Sequence, residues 1–254
     1  MGVLNVTPDS FSDGGQHFER EAAIKRARQM LEEGADLIDI GGESSRPGAS
    51  STDETEELNR ILPVLKALKD APVSVDTRRP AVMKAVLAEG ASMINDIEAL
   101  SAPGAVEAVA KSDCGVCLMH KQGAPATMQD APQYKNVVEE VSNYLRGRIL
   151  ACEQGGIGRN RICVDPGYGF GKTVAHNLRL LKQLSYIVAL GVPVLAGWSR
   201  KSSLGAITGR PVAERLAASL ASALLALQGG ATILRVHDVR ETKDVIAVWE
   251  AWRK

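Results

Sequence analysis

Val73-Ser74-Val75-Asp76 is an apolar run that ends on a charged residue, and seven more apolar runs in the chain end on polar or charged residues. Upstream, Val3-Leu4 runs into Asn5 and Leu37-Ile38 into Asp39. Downstream, Met93-Ile94 runs into Asn95-Asp96, Cys117-Leu118-Met119 into His120, and Ile162-Cys163-Val164 into Asp165. Val194-Leu195 leads to Ser199-Arg200-Lys201, and Ile233-Leu234 leads to Arg235, His237 and Asp238. A helix-like stretch follows each run, and strand–helix alternation calls for a parallel sheet. A doubly wound open sheet usually has fewer strands, so eight units predict a closed (β/α)8 TIM barrel. The predicted strands cover 2–7, 36–41, 72–76, 92–97, 115–120, 161–165, 192–197 and 232–237. In that fold the C-terminal strand ends build the active site, which is where the polar residues cluster.

The 254 residues match the size of one such barrel, so a single domain over 1–254 is expected. A net charge of zero gives no basic surface for nucleic acid, although local basic groups could bind a small anion. No apolar run reaches the ~18 residues a membrane span needs, and no signal peptide is visible. The four cysteines are too few for a disulfide scaffold in a chain this long. Cys114-Gly115-Val116-Cys117 reads either as a redox pair or half a metal site, or as two small residues entering a strand. The second reading is preferred, because there is no second C-x-x-C and no helix start follows. Reduced cysteines point to a cytoplasmic protein.

Between the strands, 20–33 sets Ala23, Ala27, Met30 and Leu31 on one helix face. The stretch 53–69 opens with Asp53 and has Glu56 three residues on, a capping-box-like start. Pro80 suits a first helical position. Segments 137–153 and 177–190 also read as helices. The stretch 212–228 is apolar nearly all round, so a homodimer is expected to cover it, with Trp249 and Trp252 joining.

Two long polar loops follow strands, Pro8 to Gly15 and Glu43 to Ser51, and both should lie over the barrel mouth. Phe11 and Arg46 favour a functional role for them. Asp165-Pro166-Gly167-Tyr168-Gly169-Phe170-Gly171-Lys172-Thr173 ends like a phosphate-binding P-loop, but that motif needs glycine where Pro166 stands. Nucleoside-triphosphate hydrolysis is therefore discarded. What remains is a strand-end carboxylate before a glycine-rich loop. Asp165 can accept from the N–H donors of a planar heterocycle, and Phe170 can stack on its face. Asp76 and Asn95 end neighbouring strands and could aim at the same heterocycle, with Lys201 as the nearby cation. Arg46, Arg235 and His237 suggest an anion site beside it. Asn5 offers a neutral oxygen suited to Mg²⁺ held mainly by phosphates. His17 and His176 read as ordinary loop or helix-start residues, and His120 lies at the mouth with its role open.

Taken together these strings resemble dihydropteroate synthase, the folate-pathway enzyme family. The resemblance rests on Gly2 to Gly15, Asp39 to Gly48, Ser74 to Thr77, Ile94 to Ile97, Leu118 to His120, Asp165 to Thr173, Ser199 to Ser202 and Arg235 to Asp238. It runs the full length in order, and the eight strings together are highly specific. It implies that p-aminobenzoate is joined to 6-hydroxymethyl-7,8-dihydropterin diphosphate, giving 7,8-dihydropteroate and diphosphate. It also implies that Asp76, Asn95, Asp165 and Lys201 bind the pterin. Asn5, Arg46, Arg235 and His237 would hold the diphosphate, with Asn5 on Mg²⁺. Ser45, Pro47, Phe170, Lys201 and Ser202 would surround p-aminobenzoate, and the catalytic group would be Asp76, Asp165, Lys201 and Arg46. The chain departs from the family pattern at Ser45, where Thr is usual, at Tyr168, where Phe is usual, and at Trp198. The last two are expected to reshape the mouth. A corrinoid-dependent pterin methyltransferase or a non-catalytic pterin binder would share Asp76, Asn95 and Asp165 but would need no anion set. An aldolase-type metal barrel would need His and acidic ligands in a cluster, which the sequence does not show.

Overall fold

The computed structural model describes residues 1–6, 15–43, 52–123 and 128–254, with side chains in the first helix described from residue 20. Phe11, Ser45, Arg46 and Pro47 lie outside the described residues. Within them, eight strands alternate with helices. They are β1 (Gly2–Asn5), α1 (Gly15–Glu32), β2 (Ile38–Gly41), α2 (Glu54–Ala67), β3 (Val73–Asp76), α3 (Pro80–Ala88) and β4 (Met93–Asp96). Next come α4 (Ala105–Ala110), β5 (Gly115–Met119), α5 (Val137–Gln154), β6 (Ile162–Asp165), α6 (Val174–Lys182) and α7 (Ser185–Val188). The chain ends with β7 (Leu195–Ala196), α8 (Ser202–Thr208), α9 (Leu216–Gln228), β8 (Ile233–Leu234) and α10 (Val239–Trp252).

All pairings are parallel. β1 to β6 pair in sequence order, and β7 pairs with β8. Two isolated bridges, Val164 with Val194 and Gly2 with Val236, join these sheets on both sides. Val164 N donates to Pro193 O at 3.0 Å and Val3 N to Val236 O at 2.9 Å. The ring is thus a TIM barrel, with β7 and β8 its shortest staves.

Side chains on a strand alternate between its two faces, and this sorts every residue that matters. Leu4, Ile38, Ile40, Val73, Val75, Ile94, Val116, Leu118, Val164 and Leu234 face the helices and form the larger core. Met93, Cys117, Cys163 and Leu195 pack together inside the barrel, with Met1, Leu37 and Ile233 against them. Cys114 belongs to the outer core and Cys117 to the interior, so the C-x-x-C pair faces two ways. All four cysteines are free and buried.

The helix starts follow local chemistry. Asp53 caps α2 by accepting from Glu56 N at 2.8 Å, and Pro80 is the first residue of α3. The predicted helix over 177–190 is two helices. It starts earlier, at a capping box between Thr173 and His176, and breaks between Lys182 and Ser185. The predicted helix over 212–228 begins with a 3₁₀ turn at Val212–Glu214, and α9 proper starts at Leu216. α9 turns its small residues Ser219, Ser222, Ala223 and Ala226 inward. Small residues let it lie close on the barrel, and this leaves Leu216 and Leu225 exposed. No helix among the described residues is long and apolar enough to cross a membrane.

Candidate active site

Residues two apart on a strand share a face, so the inward residues above the apolar plug form one ring. Asp39 stands two residues above Leu37 on β2, Asn95 two above Met93 on β4, and Asp165 two above Cys163 on β6. Arg235 stands two above Ile233 on β8, and Asp76 pairs with Asn95 in the register of β3 and β4. The structure therefore brings Asp76, Asn95, Asp165 and Arg235 into one basin at the C-terminal mouth. A separate hollow of about 830 Å³ opens at the opposite end of the barrel, and among the described residues no predicted site residue lines it.

The floor of the basin is ionic. Arg235 donates through Nε to Asp39 Oδ2 at 2.6 Å and through a terminal nitrogen to Asp76 Oδ2 at 3.1 Å. Asn95 Nδ2 donates to the same Asp39 oxygen at 3.1 Å. This leaves the Asn95 carbonyl oxygen as the acceptor for a ligand. Two carboxylates share one guanidinium, so the trio carries excess negative charge when both are ionised. Burial first, and then Asp39, Asp96 and Glu57, push Asp76 up to about 7 against the pull of Arg235. Asp39 is fully buried, and its Oδ1 has no hydrogen-bond partner among the described residues.

Asp39 is the functional residue that the motif reading left without a role. The signal was available, because Asp39 has the same inward parity as Asp76 and Asn95. Asp96, by contrast, has the opposite parity from Asn95. It accepts from Glu98 N at 2.7 Å and Leu100 N at 2.8 Å. It thereby holds a turn in which Ala99 and Leu100 have φ of 54° and 55°, left-handed values that cost a non-glycine residue energy.

On the opposite side of the basin, Asp165 accepts from Gly167 N at 2.7 Å. Burial raises its carboxyl pKa, and Lys201 and that N–H oppose the rise. Lys201 donates to the Tyr168 carbonyl, and its ammonium lies 4.8 Å from the centre of the Phe170 ring. Burial lowers Lys201 to about 8, with Asp165 countering. Ser202, the next residue, opens α8.

Asn5 ends β1 beside Gly41, whose missing side chain would touch Asn5 Oδ1 and Asp76 Cβ at 3.7 Å each. His237 lies beyond β8, where its Nδ1 is 3.0 Å from Ser199 Oγ and its N–H donates to that oxygen at 3.1 Å. Arg200 turns away from the basin. It pairs with Asp238 through Nε at 3.0 Å and through a terminal nitrogen, tying the β7 loop to the β8 loop.

Tyr168 and Trp198, the two residues expected to reshape the mouth, lie next to each other. Both are buried, and their ring centres stand 4.8 Å apart. The two departures from the family pattern therefore pack on each other behind the loop.

Fold and basin define the class, a (β/α)8 barrel with charged and amide groups gathered at its C-terminal strand ends. The pterin binding enzyme family matches residues 1–237. A dihydropteroate synthase of Haemophilus influenzae is 49% identical over 254 residues, covering 99% of this chain and 92% of that protein. The Escherichia coli K12 dihydropteroate synthase is 48% identical, with coverage of 99% and 90%. The structure of Xanthomonas albilineans dihydropteroate synthase with 4-aminobenzoic acid superposes with a TM-score of 0.94 at 52% identity, with coverage of 99% and 92%. Another structure of that enzyme, in complex with 7,8-dihydropteroate, gives 0.90 at 49% identity, with coverage of 99% and 92%. The chain belongs to the pterin binding enzymes and, among them, to the dihydropteroate synthases.

Proposed function

We propose that the basin condenses p-aminobenzoate with 6-hydroxymethyl-7,8-dihydropterin diphosphate, releasing 7,8-dihydropteroate and diphosphate. The observation that carries this reading is the Asp39–Arg235–Asp76 trio facing Asp165 across one mouth. It sets acceptors for heterocyclic N–H groups beside a fixed cation. Asp76, the Asn95 carbonyl oxygen and Asp165 take the pterin edge, with Lys201 beside them. Arg235, His237, Asn5 and Arg46 face the diphosphate. Phe170, Lys201 and Ser202, with Ser45 and Pro47, surround the arylamine. One catalytic domain spans 1–254.

The C–O bond to diphosphate breaks with its electron pair leaving on oxygen. The pterin delocalises the cation that forms, and the basin carboxylates favour it. The neutral arylamine nitrogen then forms the C–N bond and loses one proton. Positioning and electrostatics supply the rate, so no Ser-His-Asp or Cys-His set is needed.

The donor set fits Mg²⁺ brought in with the substrate. Asn5 contributes one neutral oxygen, and the described residues hold no cluster of three His, Cys, Asp or Glu that would bind a metal alone. Bound there, Mg²⁺ would offset charge on the departing diphosphate. The exposed Leu216, Leu225, Val248 and Trp252 on α9 and α10 support a homodimer through those helices. Four free buried thiols support a cytoplasmic location.

The test is dihydropteroate formation from the two substrates with Mg²⁺, with and without chelator. Product that requires Mg²⁺ is expected, and no product from folded protein would overturn the reading.

A further inference from the structure

One buried cluster is not used by this chemistry. Lys172 is 2% exposed, and it belongs to the string first read against a P-loop. Its Nζ lies 3.0 Å from the Gly167 carbonyl, 3.0 Å from that of Phe170 and 3.3 Å from that of His120. It also lies 2.9 Å from His120 Nδ1. With Lys172 as an ammonium, which only donates, Nδ1 accepts and the imidazole is neutral. Burial lowers the His120 pKa to about 3, in accord with that form. Tyr144 meets the His120 ring edge-on at 5.0 Å, which fixes its plane.

The loop that Lys172 gathers has no slack. A side chain at Gly167, φ 69°, would place Cβ 1.9 Å from His120 O, and one at Gly171, φ 61°, would place it 2.4 Å from Gln122 O. The loop therefore lies directly on the chain leaving β5. Tyr134 Oη holds its far end by donating to Gly171 O at 2.8 Å. Between the Gly167 and Phe170 carbonyls lies Tyr168, whose carbonyl receives Lys201, and Phe170 itself carries the ring under the Lys201 ammonium.

We infer that Lys172, braced by His120, is a positioning residue: it fixes the 166–171 loop and so sets where Phe170 and Lys201 meet the arylamine substrate. This rests on the proposed condensation. Asp165 depends on it less, because the β6 register with Met119 fixes its backbone and only the N–H of Gly167, at the start of the loop, ties its carboxylate to the loop. Loss of Lys172 should therefore fall on p-aminobenzoate more than on the pterin.

The test uses the full chain and Lys172→Met, which keeps the length of the side chain and removes its donors. Amide hydrogen exchange is read across 166–171, independently of activity. KM for p-aminobenzoate and Kd for the pterin substrate are read separately. Exchange in the loop should rise at least 10-fold, with exchange in β1 to β5 unchanged. KM for p-aminobenzoate should rise about 10-fold or more, with pterin Kd changing less than 3-fold. His120→Leu, which removes the Nδ1 acceptor and leaves the three carbonyls, should show the same split at a smaller size, and it carries the test if Lys172→Met does not fold. Unchanged loop exchange, or equal losses for both substrates, overturns the inference. A wild-type protein that binds neither substrate overturns the proposed condensation instead, and the exchange measurement still decides the role of Lys172 in holding the loop.

Discussion

Asp39→Asn tests the basin most sharply, because one carboxylate oxygen serves two site residues. Asp39 Oδ2 accepts from Arg235 Nε at 2.6 Å and from Asn95 Nδ2 at 3.1 Å. Asparagine keeps the shape and one carbonyl oxygen but loses the charge. Hydrogen bonds to charged groups contribute ~1.5–3 kcal/mol and neutral ones ~0.5–1.5 kcal/mol, so weakening both bonds costs about 2–3 kcal/mol. Those bonds aim Arg235 and Asn95, and at 1.4 kcal/mol per decade kcat/KM should fall about 30- to 150-fold. Arg235 keeps Asp76 as counter-charge, so the protein should stay folded. The pH profile gives a second reading with a definite sign. Ionised Asp76 accepts a pterin N–H more strongly than its protonated form does, so kcat/KM should rise with pH through its pKa of about 7. Removing the Asp39 charge takes away a repulsion that raises Asp76 and leaves Arg235 to it alone. Both changes lower the Asp76 pKa, so the acid limb should move to lower pH. Steady-state dihydropteroate formation between pH 5.5 and 8.5 provides the measurement. A wild-type kcat/KM, or a limb that moves upward, would refute the electrostatic account of the trio.

Asp165→Asn should lower kcat/KM by roughly 2–4 kcal/mol of transition-state stabilisation while keeping the bond from Gly167 N, so the melting temperature should hold; wild-type kinetics would show Asp165 to be only structural. Arg235→Ala should weaken binding of the diphosphate substrate. It also strands Asp39 and Asp76 in a buried site, which costs about 3–5 kcal/mol of stability, so calorimetry should show a lowered melting temperature, and an unchanged one would count against the ionic floor. Leu225→Glu should give monomers in sedimentation at micromolar concentration with far-UV circular dichroism unchanged; a wild-type protein that is already monomeric would remove the α9 interface.

The barrel itself was legible because eight short apolar runs, each ending on a polar residue and each followed by a helix, leave few architectures open. The bland reading of Cys114 and Cys117 was also sound, since residues three apart on one strand point to opposite faces. The break at Gln183 and Leu184 was not legible, because the apolar spacing of 177–190 continues through it and nothing local marks the turn. The heterocycle and anion groups that the sequence suggested are joined in space by an ion pair that no spacing announced. Arg235, read with the anion group, donates to Asp76, read with the heterocycle group, at 3.1 Å.

The sequence alone determined the eight-unit order, the end of the barrel that carries chemistry, and the family. Those follow from local pattern and from motif strings, each readable along the chain. Only the tertiary structure decided which carboxylate each cation meets. Asp39 and Arg235 stand 196 residues apart and touch because β8 closes against β1. Lys172 and His120 stand 52 apart and touch because β5 and β6 are neighbours. Contacts of that kind depend on barrel closure and strand register, which no local spacing encodes.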